Sequence, residues 1–222
     1  MARLHTDRLP ESLLLHILPL QDISDAWLSE DEQARMATFG NEGRKKQFAT
    51  GRMVLKEVIG EATHQTPTHV ELVVEESGAL AVKNDSSLFV SLSHSTRHAL
   101  AAVATCPIGV DIERIKVRRP DLWRYILHPD EYDSFHALEL ASDEKLILYW
   151  TLKEAVLKGL KTGFRLSPKK LKTTLNLPQN EATVEVVSGR DAATEDELPL
   201  LTHWQLCFGR YEDAYWAVAW VL

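Results

Sequence analysis

Gly109-Val110-Asp111-Ile112-Glu113 sets two carboxylates two residues apart in a run that alternates polar with apolar. On a strand, such alternation sends Asp111 and Glu113 to one face and Val110 and Ile112 to the other. Carboxylates held that close repel each other unless a cation lies between them. A hard divalent ion meets that need, and magnesium typically takes one or two carboxylates together with substrate phosphates. Taken alone, the Asp-x-Glu pair fits the solvated face of an edge strand better than a metal site.

Two further runs carry chemistry-bearing residues. In Trp150-Thr151-Leu152-Lys153-Glu154-Ala155-Val156-Leu157-Lys158, Leu148, Leu152, Val156 and Leu160 form an apolar i, i+4 stripe. Glu154 lies nearly opposite that stripe, in line with Trp150, Lys158 and Lys161. It is either half of a surface Glu–Lys pair or a third carboxylate, with lysines placed for phosphate oxygens. The other run, Ser91-Leu92-Ser93-His94-Ser95, follows an alternating strand. Neighbouring Ser and His on a strand point apart, and no Gly-x-Ser-x-Gly elbow surrounds them, which argues against a nucleophile–base pair. Hydroxyls and an imidazole suit anion binding, although a lone Ser-His-Ser is also an ordinary turn.

The elements that must position these residues are legible in part. Ser29 and Glu32 form a capping box opening a helix to about Phe39, and a second helix runs from Glu42 to about Glu61. Val70–Val74, the Ser77-Gly78 turn and Leu80–Val82 read as a hairpin. Strands at Leu88–Leu92, Ala99–Ala104 and Ile108–Ile112 follow, the last set off by Pro107. His128-Pro129-Asp130-Glu131 opens a helix, and Ser142-Asp143-Glu144 caps a longer one to about Leu160. Strands return at Thr183–Val187, at Trp204–Phe208 and from Tyr215 to Leu222, with a polar loop over Ser188–Glu197. Leu13–Ile17–Leu18 is too short to cross a membrane and reads as a first strand. The pattern is α+β, with a boundary near Cys106-Pro107 dividing residues 1–106 from 107–222.

Composition narrows the function. The 222 residues are 45% apolar, enough for a substantial core, and carry a net charge of −7, which argues against a general nucleic-acid binder. Two cysteines without Cys-x-x-Cys spacing read as reduced core residues of a soluble cytoplasmic protein.

Together the three motifs resemble the surfactin-type class of the 4′-phosphopantetheinyl transferase superfamily. That class carries Ser-His-Ser after a strand, then Gly-hydrophobic-Asp-hydrophobic-Glu, then Trp-x-x-Lys-Glu-Ala or -Ser with a Lys four residues past the Glu. Arg44, Phe48 and Arg52 resemble its Arg-x3-Phe-x3-Arg signature. The resemblance spans about Phe39 to Leu166. It implies two similar α/β subdomains related by a pseudo-twofold axis, with coenzyme A between them. It also implies a monomer that moves the phosphopantetheine arm of coenzyme A to a serine of an apo acyl- or peptidyl-carrier protein, releasing 3′,5′-ADP. No nucleic acid or membrane partner is implied.

The resemblance assigns residues as well. Asp111, Glu113 and Glu154 would hold Mg2+, for which Mn2+ can substitute. Ser93 and His94 would contact the 3′-phosphate side of coenzyme A, with Arg44 and Arg52 adding charge. Lys158 would bind the pyrophosphate, and Glu154 would be the general base, with Asp111 and Lys158 also in the catalytic set. Many members carry Gly-Lys-Pro where this chain has Gly78-Ala79-Leu80, so either that cationic contact is lost or Lys83 replaces it. Arg114, Lys116, Arg118 and Arg119 are either a solvated basic loop or a landing site for an acidic carrier. The rival functions are a metal-dependent nuclease built on the same carboxylates and a non-catalytic coenzyme A or carrier-binding module.

Overall fold

A computed structural model describes residues 2–4, 8–119, 121–162, 165–187 and 203–221. The strands among them are β1 Ala2–Arg3, β2 Leu14–Pro19, β3 Leu72–Val74, β4 Leu80–Val82, β5 Phe89–His94, β6 His98–Ala104, β7 Ile108–Arg114, β8 Leu171–Asn176, β9 Glu181–Val186, β10 His203–Tyr211 and β11 Ala214–Trp220. The helices are α1 Glu30–Ala37, α2 Glu42–Thr63, α3 Trp123–Ile126, α4 Tyr132–Ala137 and α5 Ser142–Gly159. One antiparallel sheet has the order β1-β2-β6-β5, a second β7-β11-β10-β9-β8, and β3 pairs only with β4. None of the described helices is long and apolar enough to cross a membrane.

The period-2 pattern of the strands builds four layers. Leu18, Ala99, Ala101 and Val103 face α2, where Met53, Val54, Leu55, Val58 and Ile59 are buried against them. The opposite face of the same sheet, Leu15, Ile17, Leu100 and Ala102, meets Val110, Ile112, Trp216 and Val218 of the second sheet. The far side of that second sheet, Val184, Leu206, Ala217 and Ala219, receives Leu148, Leu152, Ala155 and Val156 of α5. The chain leaves one sheet for the other between β6 and β7, at Cys106-Pro107. The two sheets nevertheless share one apolar interior. No disulfide joins Cys106 and Cys207.

The capping box at α1 forms as expected: Ser29 Oγ accepts from Glu32 N at 3.2 Å and Glu32 Oε2 accepts from Ser29 N at 3.0 Å. Several boundaries differ from the sequence reading. α2 starts at an Asn41 cap and runs on to Thr63. β5 continues through His94, so the histidine sits on the strand and not after it. Ala141, not Ser142, precedes α5, and Glu144 reaches back to its N–H at 3.4 Å. β8 has no strong alternation and escapes sequence inspection, as do the short β1 and α3. The loop expected over Ser188–Glu197 lies outside the described residues.

Candidate active site

The glycine of Gly109-Val110-Asp111 is required by packing. α5 lies so close to β7 that a Cβ on Gly109 would stand 1.9 Å from the Ala155 carbonyl oxygen and 2.4 Å from Gly159 N. Gly159 is held in turn against Trp204, whose ring would be 2.6 Å from an added Cβ. Two glycines thus let a helix settle on a strand at backbone contact, which brings Glu154 and Lys158 to Asp111.

β7 is the edge of its sheet, and β5 of the other sheet satisfies that edge. Ser91 Oγ accepts from Val110 N at 3.0 Å and Ser93 Oγ from Ile112 N at 3.3 Å. Ser93 Oγ also donates to Asp111 Oδ1 at 2.8 Å. Lys158 Nζ donates to both Ser93 Oγ and Asp111 Oδ1, each at 2.7 Å. Asp111 is buried. Among the described residues its other oxygen, Oδ2, is enclosed without a partner, as is Glu154 Oε1.

The electrostatics follow from this crowding. Burial first, then the charges of Asp111 and Glu113, push the Glu154 carboxyl up to about 7, while Lys158 pulls the other way. Glu113 is also raised, by burial and then by Asp111, and is opposed chiefly by Arg118, 3.6 Å away. Among the described residues no three His, Cys, Asp or Glu side chains are gathered into a ready metal cage. The donors nevertheless suit a hard divalent cation: three carboxylates from β7 and α5, two of them presenting orphaned buried oxygens.

His94 points the other way from Ser93, because neighbours on a strand alternate. It lines a cavity of about 910 Å³ with Arg44, Phe48, Arg52 and Leu92. Enclosure by its neighbours is the main effect holding the imidazole below its usual value, with Lys158 and Arg44 acting in the same sense and Asp111 opposing. His94 therefore feels both the cavity's arginine and the carboxylate cluster, and stands between them. Ser95 shapes the β5–β6 turn, accepting from Arg97 N and His98 N at 3.2 and 3.1 Å.

Not every expected residue lands on ligand-facing ground. Ser93 does not line the cavity; its hydroxyl is taken up by Asp111, Lys158 and β7. Arg52 lines the cavity but is buried, 2.9 Å from Glu32 and over the Phe48 ring. Lys83 bonds Glu71 and is absent from the cavity wall. Arg114 pairs with Asp213 and Arg119 with Asp121, which commits part of the basic loop to local partners.

Sequence inspection overlooked Lys153. It is fully buried, donating to Glu131 Oε2 at 2.6 Å and to the carbonyls of Leu171, Ile126 and Pro168 at 2.7, 3.0 and 3.2 Å. Glu131 accepts in addition from His128 N and Thr173 N, at 2.5 and 2.6 Å. Tyr149 and Leu157, four residues to either side of Lys153, are the signal that was available for its burial.

Residues 107–215 match the profile of the 4′-phosphopantetheinyl transferase superfamily. Over that span the chain is similar to that superfamily. Over 151 residues it is 33% identical to the 4′-phosphopantetheinyl transferase HetI of Nostoc sp., covering 65% of this chain and 63% of that protein. It is 24% identical over 147 residues to a 4′-phosphopantetheinyl transferase of Bacillus subtilis, covering 66% of each. A phosphopantetheinyl transferase of Thraustochytrium sp. is 24% identical over 186 residues, which is 75% of this chain and 64% of the relative. The chain thus spans a little under two thirds of these relatives' lengths. The superfamily's mixed α/β architecture agrees with the two sheets and their covering helices.

Proposed function

We propose that this protein transfers the 4′-phosphopantetheine moiety of coenzyme A to a serine of an apo acyl- or peptidyl-carrier protein, releasing 3′,5′-ADP. The observation that carries this reading is the adjacency of two parts of the site: His94 lines the basic cavity and lies within electrostatic reach of Lys158 and Asp111 in the carboxylate cluster. A nucleotide's phosphates and a reacting diphosphate need such adjacency. Its two halves would be residues 1–106, supplying the cavity, and 107–222, supplying the carboxylates. The enzyme would act as a cytoplasmic monomer without nucleic-acid or membrane partners.

Asp111, Glu113 and Glu154 would hold Mg2+, or Mn2+ in its place. A bound divalent ion supplies charge neutralisation and polarisation of the diphosphate. Arg44 and His94 hold the nucleotide end, which converts binding into positioning. Lys158, already within reach of Asp111, turns its ammonium to the diphosphate oxygens and stabilises charge on the departing 3′,5′-ADP. The carrier serine oxygen forms the new bond to the β-phosphorus of coenzyme A as the bond to the leaving phosphate oxygen breaks. Glu154 takes the serine proton: its carboxyl presents a buried oxygen without a partner among the described residues. Ser93 orients Asp111 through the hydrogen bond from its hydroxyl.

The test is to incubate the protein with coenzyme A, magnesium and a panel of apo carrier proteins and weigh the carriers intact. One phosphopantetheine should be gained per carrier, and the gain should be lost on chelation and in Asp111→Asn. Carriers left unchanged by a well-folded protein across fatty-acid, polyketide and peptide-type partners would refute the reading.

A further inference from the structure

Residues 115–119, which follow β7, form no regular element but are pinned beside the carboxylate cluster. Ile115 N donates to the Asp213 carbonyl at 2.8 Å, and Arg118 N donates to Asp143 Oδ1, in the first turn of α5, at 3.1 Å. Arg114 is taken by Asp213 and Arg119 by Asp121. Arg118 turns inward instead. Its Nη2 stands 3.6 Å from Glu113 Oε2, and its Nε is buried and, among the described residues, without a hydrogen-bond partner. Of the cations around Glu113, Arg118 acts on it most strongly, ahead of Lys116 and Lys158.

Two of the three carboxylates thus face a cation of the chain's own: Asp111 with Lys158 at 2.7 Å, and Glu113 with Arg118. The two contacts differ in kind. Lys158 makes a close hydrogen-bonded pair, whereas 3.6 Å is too long for a hydrogen bond. A guanidinium in a strong pair meets a carboxylate with two parallel N–H donors. Arg118 lacks that geometry, and its buried Nε gains no acceptor from the arrangement. Charge alone holds it over Glu113, and such a contact gives way to a better one. The two side chains are each 30% exposed, so an ion in solution can reach the carboxylate. A divalent cation and a positive charge fixed beside the same carboxylate oppose each other.

We propose that Arg118 is a positioning residue that guards Glu113: as an internal counter-ion it competes with the divalent cation for that carboxylate, and it swings aside when the ion is bound. The free protein therefore holds the ion more weakly than its three carboxylates alone would. This rests on the assignment of Asp111, Glu113 and Glu154 to the metal in the transferase reading above.

Binding of Mn2+ to the protein alone, followed by loss of the free ion's electron paramagnetic resonance signal, tests this without any transfer reaction. The proteins compared are wild type, Arg118→Gln, Arg118→Lys and Arg119→Gln, each melted in chelated buffer to confirm folding. Removing a partly exposed charge beside a divalent ion corresponds to about 3- to 10-fold in affinity. Arg118→Gln should tighten Mn2+ by about that factor, and added salt should shrink the gain. Arg118→Lys, which keeps the charge, and Arg119→Gln should both stay within about twofold of wild type. If Arg118→Gln binds Mn2+ no better than wild type, or more weakly, the guarding role is overturned while the transferase reading stands. Tightening of the same size in Arg118→Lys or Arg119→Gln would overturn it too. If neither wild type nor Arg118→Gln binds Mn2+, the metal assignment falls, and this proposal with it.

Discussion

Replacing Glu154 with glutamine should make the metal-free protein more stable at alkaline pH, although the residue belongs to the proposed catalytic set. The Glu154 carboxyl is raised from 4.5 to about 7 by burial and by Asp111 and Glu113. Between those values the unfolded chain has released a proton that the folded chain keeps, so stability falls as pH rises through that window and is lowest above 7. At about 1.4 kcal/mol for each tenfold in proton affinity, ionising Glu154 in the fold costs about 3 kcal/mol. Partial solvent access reduces this to roughly 2–3 kcal/mol. Glutamine keeps the shape and removes the charge. In chelated buffer at pH 8, Glu154→Gln should therefore melt about 4–12 °C above wild type, at about 2–4 °C per kcal/mol for a chain of this size. At pH 4, where the wild-type residue is protonated in both states, the difference should vanish. Added magnesium should narrow the gap at pH 8 by raising the wild-type melting point more. A variant that melts at or below wild type at pH 8 would refute the idea that the three carboxylates strain one another.

Two further predictions concern how the site is held. Lys153→Met leaves Glu131 buried without its cation and should cost about 3–5 kcal/mol in urea unfolding, part of which Lys153→Met/Glu131→Gln recovers. Gly109→Ala forces a Cβ into the backbone of α5 and should lower stability by about 3 kcal/mol in the same assay. Gly40→Ala, with nothing within 4 Å of the added Cβ, should melt close to wild type.

Much of the site was readable because short-range periodicity governs it. Alternation along β7 sets Asp111 and Glu113 on one face, and helical spacing aligns Glu154 with Lys158. What the spacing could not say was where the neighbours lie. Ser93 and His94 are adjacent in the chain, yet one bonds Asp111 and the other lines the cavity, because β5 borders the other sheet on one face and α2 on the other. Lys153 drew no assignment from its spacing, and its burial depends on Glu131 and on carbonyls at residues 126, 168 and 171. Arg35, on the polar helix α1, lines the cavity where Glu32 ties that helix to Arg52 and Lys56 of α2.

The sequence by itself determined the motifs, their order, the superfamily they resemble and most of the regular elements, since each depends on residues a few positions apart. Only the tertiary structure decided that Gly109 is where α5 touches β7, that serine hydroxyls of one sheet close the edge of the other, and which cation stands over which carboxylate. Those outcomes depend on contacts between segments tens of residues apart, which no local pattern encodes.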